Sequence, residues 1–175
     1  MQGLRSSAFE TNDLANGITA VATELTSDLS GIDSPAIDVE VQGAPRNLNP
    51  IVRDEAYRIA GEALRNAVKH AEARRVIVTI HYEPRQLRLV IRDDGKGIPS
   101  DTMTRQQLAG HFGLPGMRER AEIVGGRLEV WSKRDTGTEV ELSIPGAVAY
   151  GAPIERSWFS KVFAGKSRKD ERTEP

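Results

Sequence analysis

The sequence predicts an α+β domain: four or five mostly antiparallel strands covered on one face by helices. One long segment after Asn49 carries apolar residues at helical spacing, whereas several short segments alternate apolar and polar residues. The alternating segments come in two adjacent pairs, each joined by turn-forming residues, so they read as hairpins.

In chain order, Leu14, Ile18, Val21, Ala22 and Leu25 recur at helical spacing, with Asn12 or Asp13 available as a cap. In IDVEVQG, Ile37, Val39 and Val41 alternate with acids, which is the pattern of a half-buried strand, and Gly43-Ala44-Pro45 ends it. Asn49-Pro50 then supplies a capping side chain and a proline for a first helical turn. The helix predicted from there to about His70 places Val52, Ala56, Ile59, Ala60, Ala63, Leu64, Ala67 and Val68 on one wide apolar face. RVIVTIHY and QLRLVIRD form a hairpin across Glu83-Pro84-Arg85. The stretch from Gly95 to Gly113 is polar, glycine-containing and aperiodic; a loop of that length in a compact domain usually acts as a lid. PGMRERAEIVGG reads as a helix with Pro115 near its start and Gly125-Gly126 at its end. RLEVWS and TEVELSIP make a second hairpin, turned by Asp135-Thr136-Gly137. Beyond Pro145 the pattern degrades, and residues 147–175 read as a disordered tail in which Trp158, Phe159 and Phe163 are candidates to dock on the domain or on a membrane surface.

Composition narrows the chemistry. The 24 basic and 25 acidic residues nearly cancel, so no global field favours nucleic acid or an anionic membrane as partner. The chain has no cysteine, which excludes disulfides, thiolate metal sites and cysteine nucleophiles and suits a reducing cytoplasm. No apolar run approaches the ~20 residues that span a bilayer, so no membrane contact is expected from this chain itself.

Three sites carry candidate chemistry. Glu62, Asn66, Lys69 and His70 share a polar stripe beside the apolar helix face. A solvated helix face explains such a stripe; so does a Mg²⁺-phosphate site, which needs oxygen ligands and a cation. In QLRLVIRD, Asp93 has the parity of Leu87, Leu89 and Ile91 and therefore continues the core row. An inward carboxylate is costly without a partner. A ligand amine such as the adenine 6-amino group is one partner, and a cap on the following Asp-Gly loop is the other reading. Asp94, of opposite parity, is expected to face outward, and Gly95 and Gly97 allow close approach to a flat ring. Thr138 lies in register with Val140, Leu142 and Ile144, which adds an inward hydroxyl. In GHFGLPGM, Gly110, Gly113 and Gly116 lead into a helix, so backbone amides there can face an anion or simply form a flexible loop and cap.

Other motifs fail. AGKSR near the C-terminus lacks the glycine five residues before Gly165, where Ser160 stands, so it is no P-loop. No helix opens directly after GKGIPS, which discounts a dinucleotide fingerprint. His70, His81 and His111 have no metal-ligand spacing, and no nucleophile-elbow serine is present.

Taken in order, EALRNAVKHA, RDDGKG, GHFGLPGMRERAEIVGG and TGTEVELSIP resemble the asparagine and glycine boxes of the GHKL superfamily, over about Asp54 to Pro145. Within it, the sequence is similar to sensor histidine kinases of the nitrate-sensing type. The resemblance implies a Bergerat-type two-layer α/β sandwich binding ATP and Mg²⁺. It implies that Asn66 holds Mg²⁺, that Glu62 acts as base or positions the attacking group, and that Lys69 and His70 contact phosphates. By the same resemblance Asp93 binds the adenine amine, assisted by Thr138 through water, while Gly95, Gly97, Gly113, Leu114 and Gly116 shape pocket and lid. Residues 1–30 would then be a helical connection from a dimerisation domain, and 31–146 the ATP-binding catalytic domain. The implied partners are a domain bearing the phosphoacceptor histidine and, downstream, a response regulator, with a homodimeric parent in the cytoplasm or on its membrane and this fragment a monomer. Such kinases carry the acceptor histidine upstream, and here no histidine precedes His70. A serine kinase acting on a sigma-factor antagonist and a catalytically silent nucleotide-binding module are the competing readings.

Overall fold

The structure is a computed structural model, and it describes residues 13–27, 34–98 and 113–151. Its elements run α1 (Asp13–Ser27), β1 (Ala36–Gln42), α2 (Pro50–His70), β2 (Arg75–Tyr82), β3 (Gln86–Asp93), α3 (Leu114–Ile123), β4 (Arg127–Lys133), β5 (Gly137–Pro145) and α4 (Gly146–Ala149). The strands form one five-stranded sheet in the order β1-β2-β3-β5-β4. β1 and β2 pair in parallel across the α2 crossover, and the remaining pairs are antiparallel. The α+β architecture read from the pattern is the one observed.

Local chemistry explains the elements. Asn49 caps α2, its side-chain oxygen accepting from the Ile51 amide at 3.0 Å, and Pro50 occupies the first turn, where a missing N–H costs nothing. Val52, Ala56, Ile59, Ala60, Ala63, Leu64 and Ala67 then form one buried stripe. The alanines leave room for close packing on the sheet; Val68, expected on the same stripe, is only half-buried. From below, Val76, Val78, Ile80 and Tyr82 of β2, Leu87, Leu89 and Ile91 of β3 and Val140, Leu142 and Ile144 of β5 are buried at every second position. Residues of opposite parity are half-buried or exposed, Arg92 and Trp131 among the exposed ones. α1 joins the same core through Leu14, Ala15, Ile18 and Ala22, which are all buried. α3 ends as its glycines predict: Gly125 takes φ 62°, and the Gly126 amide donates to Ala121 O at 2.8 Å.

One boundary moves. The sequence reading begins the tail at residue 147, yet α4 packs on the domain, with Ala149 fully buried and its carbonyl accepting from the Asn49 amide at 2.8 Å. Tyr150 then donates its hydroxyl to Gln86 O at 3.0 Å. Folded structure therefore reaches residue 151; the rest of the tail, with Trp158, Phe159 and Phe163, lies outside the described residues. No described helix is long and apolar enough to cross a membrane.

Candidate functional site

Strand pairing sets Val76, Asp93, Thr138 and Ser132 side by side across β2, β3, β5 and β4. All point to the helix-covered face, so this row continues the core at one end of the sheet but with polar groups. The C-terminal half of α2 lies above it. Between them is a cavity of about 110 Å³. Asn66, His70, Asp93 and Thr138 give it polar corners, and Lys96 and Gly97 stand at its loop edge. Its walls are apolar: Ala63 and Ala67 from α2, Ile91 and Val140 from the sheet, Ile98 and Leu114 from the ends of the long loop. A small, mostly apolar slot with a few convergent polar groups suits a flat heteroaromatic ring.

Asp93 is only 8% exposed. One carboxylate oxygen accepts from the Gly95 amide at 2.9 Å and from the Thr138 amide at 3.2 Å. The side chain thus caps its own loop and also lines the cavity. Among the described residues these two amides are its only hydrogen-bond donors. Burial pushes its carboxyl above the usual aspartate value, against the opposing pull of the Gly95 and Thr138 amides. A carboxylate raised in this way withholds stability as pH rises through the window above the ordinary value near 4. A ligand amine needs the ionised form. Adenine-nucleotide affinity should therefore fall on acidification at a pH above the ordinary aspartate range, and the Asp93→Asn chain should lack that limb. Calorimetric titrations between pH 7 and 4 check this; identical profiles for the two chains would overturn it.

Thr138 Oγ1 and Ser132 Oγ lie 2.9 Å apart, and Ser132 Oγ accepts from the Ile98 amide at 2.8 Å. Ser132 thereby ties the start of the long loop to the sheet. It escaped the sequence reading, although its pairing opposite Thr138 in the hairpin was the signal for it. Lys96 also went unassigned; its ammonium pairs with Glu72 at 2.6 Å. Asp94 points away as expected and accepts from the Arg74 and Arg75 amides at 2.8 and 2.9 Å. The Arg75 amide foremost holds its carboxyl below the usual value.

The polar stripe of α2 is divided. Asn66 and His70 line the cavity, while Lys69 is exposed and does not. Glu62 opens onto a neighbouring cleft between α1, α2 and α3, paired with Arg65 at 2.9 Å. Gly113 and Gly116 line that second cleft, whereas Gly95 meets the cavity only through its bond to Asp93. Gly113 adopts φ 61°, which favours glycine, and a Cβ there would sit 2.4 Å from Glu62 Oε1 and displace that carboxylate. Residues 99–112, with Gly110, lie outside the described residues.

Comparison with known proteins agrees with this geometry. Residues 51–148 match the profile of the family described as "Histidine kinase-, DNA gyrase B-, and HSP90-like ATPase". Sensor histidine kinase LiaS of Bacillus subtilis is 34% identical over 142 residues, which is 81% of this chain and 37% of that protein. Nitrate/nitrite sensor protein NarX of Escherichia coli K12 is 37% identical over 104 residues, 59% of this chain and 17% of that one. The chain thus spans about a third or less of these relatives. The Erythrobacter litoralis EL346 blue-light activated histidine kinase superposes with a TM-score of 0.58 at 28% identity, covering 77% of this chain and 42% of that one. Its separate histidine kinase domain gives 0.60 at 24% identity, covering 77% and 61%, and so shares the fold.

Proposed function

Because the chain belongs to the histidine kinase-, DNA gyrase B- and HSP90-like ATPase family, we propose that it is the ATP-binding catalytic domain of a two-component sensor histidine kinase. It transfers the γ-phosphoryl group of ATP to a histidine on a dimerisation domain. The observation that carries the nucleotide half is Asp93, a buried carboxylate beside Thr138 on the floor of an apolar slot. The protein-histidine half rests on the similar sensor kinases.

In this reading Asp93 accepts the adenine amine, with Thr138 alongside, and the apolar walls exclude water from the ring. The triphosphate runs toward the open end of α2, where His70 and Lys69 lie. Mg²⁺ binds such sites through one or two protein oxygens plus the phosphates, and the Asn66 carboxamide at the cavity rim fits that need. When bound, the ion neutralises charge on the β- and γ-phosphates. A histidine nitrogen attacks the γ-phosphorus, the bond to the β-phosphate oxygen breaks, ADP leaves, and Glu62 takes or orients the imidazole proton. Gly113 brings the loop end against Glu62. A response regulator downstream, a homodimeric parent and a cytoplasmic location complete the reading.

The test mixes the chain, γ-labelled ATP and Mg²⁺ with the dimerisation domains of the similar kinases. Label should appear on the acceptor histidine and not on the chain alone. Asn66→Ala should lower the transfer rate about a hundredfold. Self-labelling of the chain, labelling of serine, or failure to bind Mg²⁺-ATP would overturn the proposal.

A further inference from the structure

Ser132 does not line the nucleotide slot but touches two residues that do. It is half-buried on β4, paired across the hairpin with Thr138 of β5. Three groups meet at its Oγ. The Ile98 amide donates to it at 2.8 Å, the Gly137 carbonyl oxygen lies at 3.2 Å, and Thr138 Oγ1 lies at 2.9 Å. Ile98 and Thr138 line the slot, one from the loop and one from the sheet.

The protons at this junction can be counted. A serine hydroxyl has one proton and two lone pairs, an amide only donates, and a carbonyl only accepts. The Ile98 amide therefore takes one lone pair of Ser132. If the serine proton goes to Gly137 O, the second lone pair accepts the Thr138 proton, and all three contacts are hydrogen bonds. If that proton goes to Thr138 Oγ1 instead, the Gly137 contact is lost and two bonds remain. The first arrangement satisfies more of these part-buried groups and is favoured. It commits the Thr138 proton to Ser132, so Thr138 offers a ligand only lone pairs. Asp93, its neighbour across β3 and β5, accepts the Gly95 and Thr138 amides on Oδ1 and, ionised, has no proton to give either. Such a pair of acceptors matches an amino group and repels a carbonyl. A bridging water passes the same polarity on: giving its two protons to Thr138 and Asp93, it turns only a lone pair to the base.

We propose that Ser132 is a positioning residue that holds Thr138 as an acceptor and so makes the slot prefer a 6-amino purine to a 6-oxo purine. It acts without touching the nucleotide. This role rests on the reading of Asp93 and Thr138 as the floor beneath the adenine amine, and it names the group that keeps Thr138 in the required proton state.

Calorimetric titration of the full chain with Mg²⁺-ATP and with Mg²⁺-ITP, whose ribose and triphosphate are identical, tests it. The unaltered chain should bind ATP about tenfold or more tighter than ITP. Ser132→Ala frees the Thr138 proton to donate to a 6-oxo group, and the preference for ATP should shrink about tenfold. Thr138→Val should shrink it as far, and Ser132→Ala added to Thr138→Val should change it no further. Ser132→Thr returns a hydroxyl to the position and should restore the preference. A serine that only braced the hairpin would weaken both nucleotides alike. An unchanged ratio in Ser132→Ala or in Thr138→Val therefore overturns the proposal and leaves ATP binding standing. So does an unaltered chain that binds ATP and ITP equally. Binding of neither nucleotide overturns the nucleotide pocket itself, and this role with it.

Discussion

The Asp93→Asn chain is expected to bind ATP about tenfold to hundredfold more weakly while melting at no lower temperature than the unaltered chain. A hydrogen bond to a charged group contributes about 1.5–3 kcal/mol, and each 1.4 kcal/mol is a factor of ten in affinity. The amide also turns one acceptor edge into a donor, which then faces the donor amine of the base. Stability moves the other way. The asparagine oxygen can still accept from the Gly95 and Thr138 amides that Asp93 now satisfies. The cost of holding a charge in a buried site disappears, because the carboxyl is raised by burial before anything else. Loss of affinity together with loss of stability would mean that Asp93 only braces its loop. Unchanged affinity would remove the adenine contact altogether.

The legibility of this site follows from the periods of the elements that carry it. A strand repeats every two residues, so parity alone placed Asp93 and Thr138 in the core row, and both line the cavity. The predicted hairpin already made the last two strands neighbours, but parity does not fix the register between them, and Ser132 came into view only when register set it opposite Thr138. A helix repeats every 3.6 residues, which grouped Glu62, Asn66 and His70 on one stripe. Eight residues of helix extend about 12 Å, however, enough for the two ends to meet different neighbours. α3 divides the stripe, leaving Glu62 in one cleft and Asn66 with His70 in another. Lys96 sits on a loop, where no period marks which way a side chain points. The four residues of α4 are too few to show any periodicity, so the pattern read as degrading beyond Pro145.

Gly137→Ala is expected to destabilise the domain by about 3 kcal/mol and to weaken ATP binding together with it. Gly137 opens β5 with φ 102°, after Asp135 at φ 58°, and a Cβ on it would lie 1.9 Å from the Asp93 carbonyl oxygen. That neighbour is backbone and cannot rotate aside. The ends of β3 and β5 would have to separate where Asp93 pairs with Thr138 and where the Thr138 amide donates to the Asp93 carboxylate. Gly125→Ala is the matched control: it too has positive φ, at 62°, but nothing lies within 4 Å of its added Cβ. It should show the backbone strain alone, about 1 kcal/mol, with ATP affinity intact. Urea denaturation and nucleotide titration of the two variants separate the effects. If Gly137→Ala were no less stable than Gly125→Ala, the β3–β5 junction would be pliant, and the floor of the pocket would not be held by strand pairing at all.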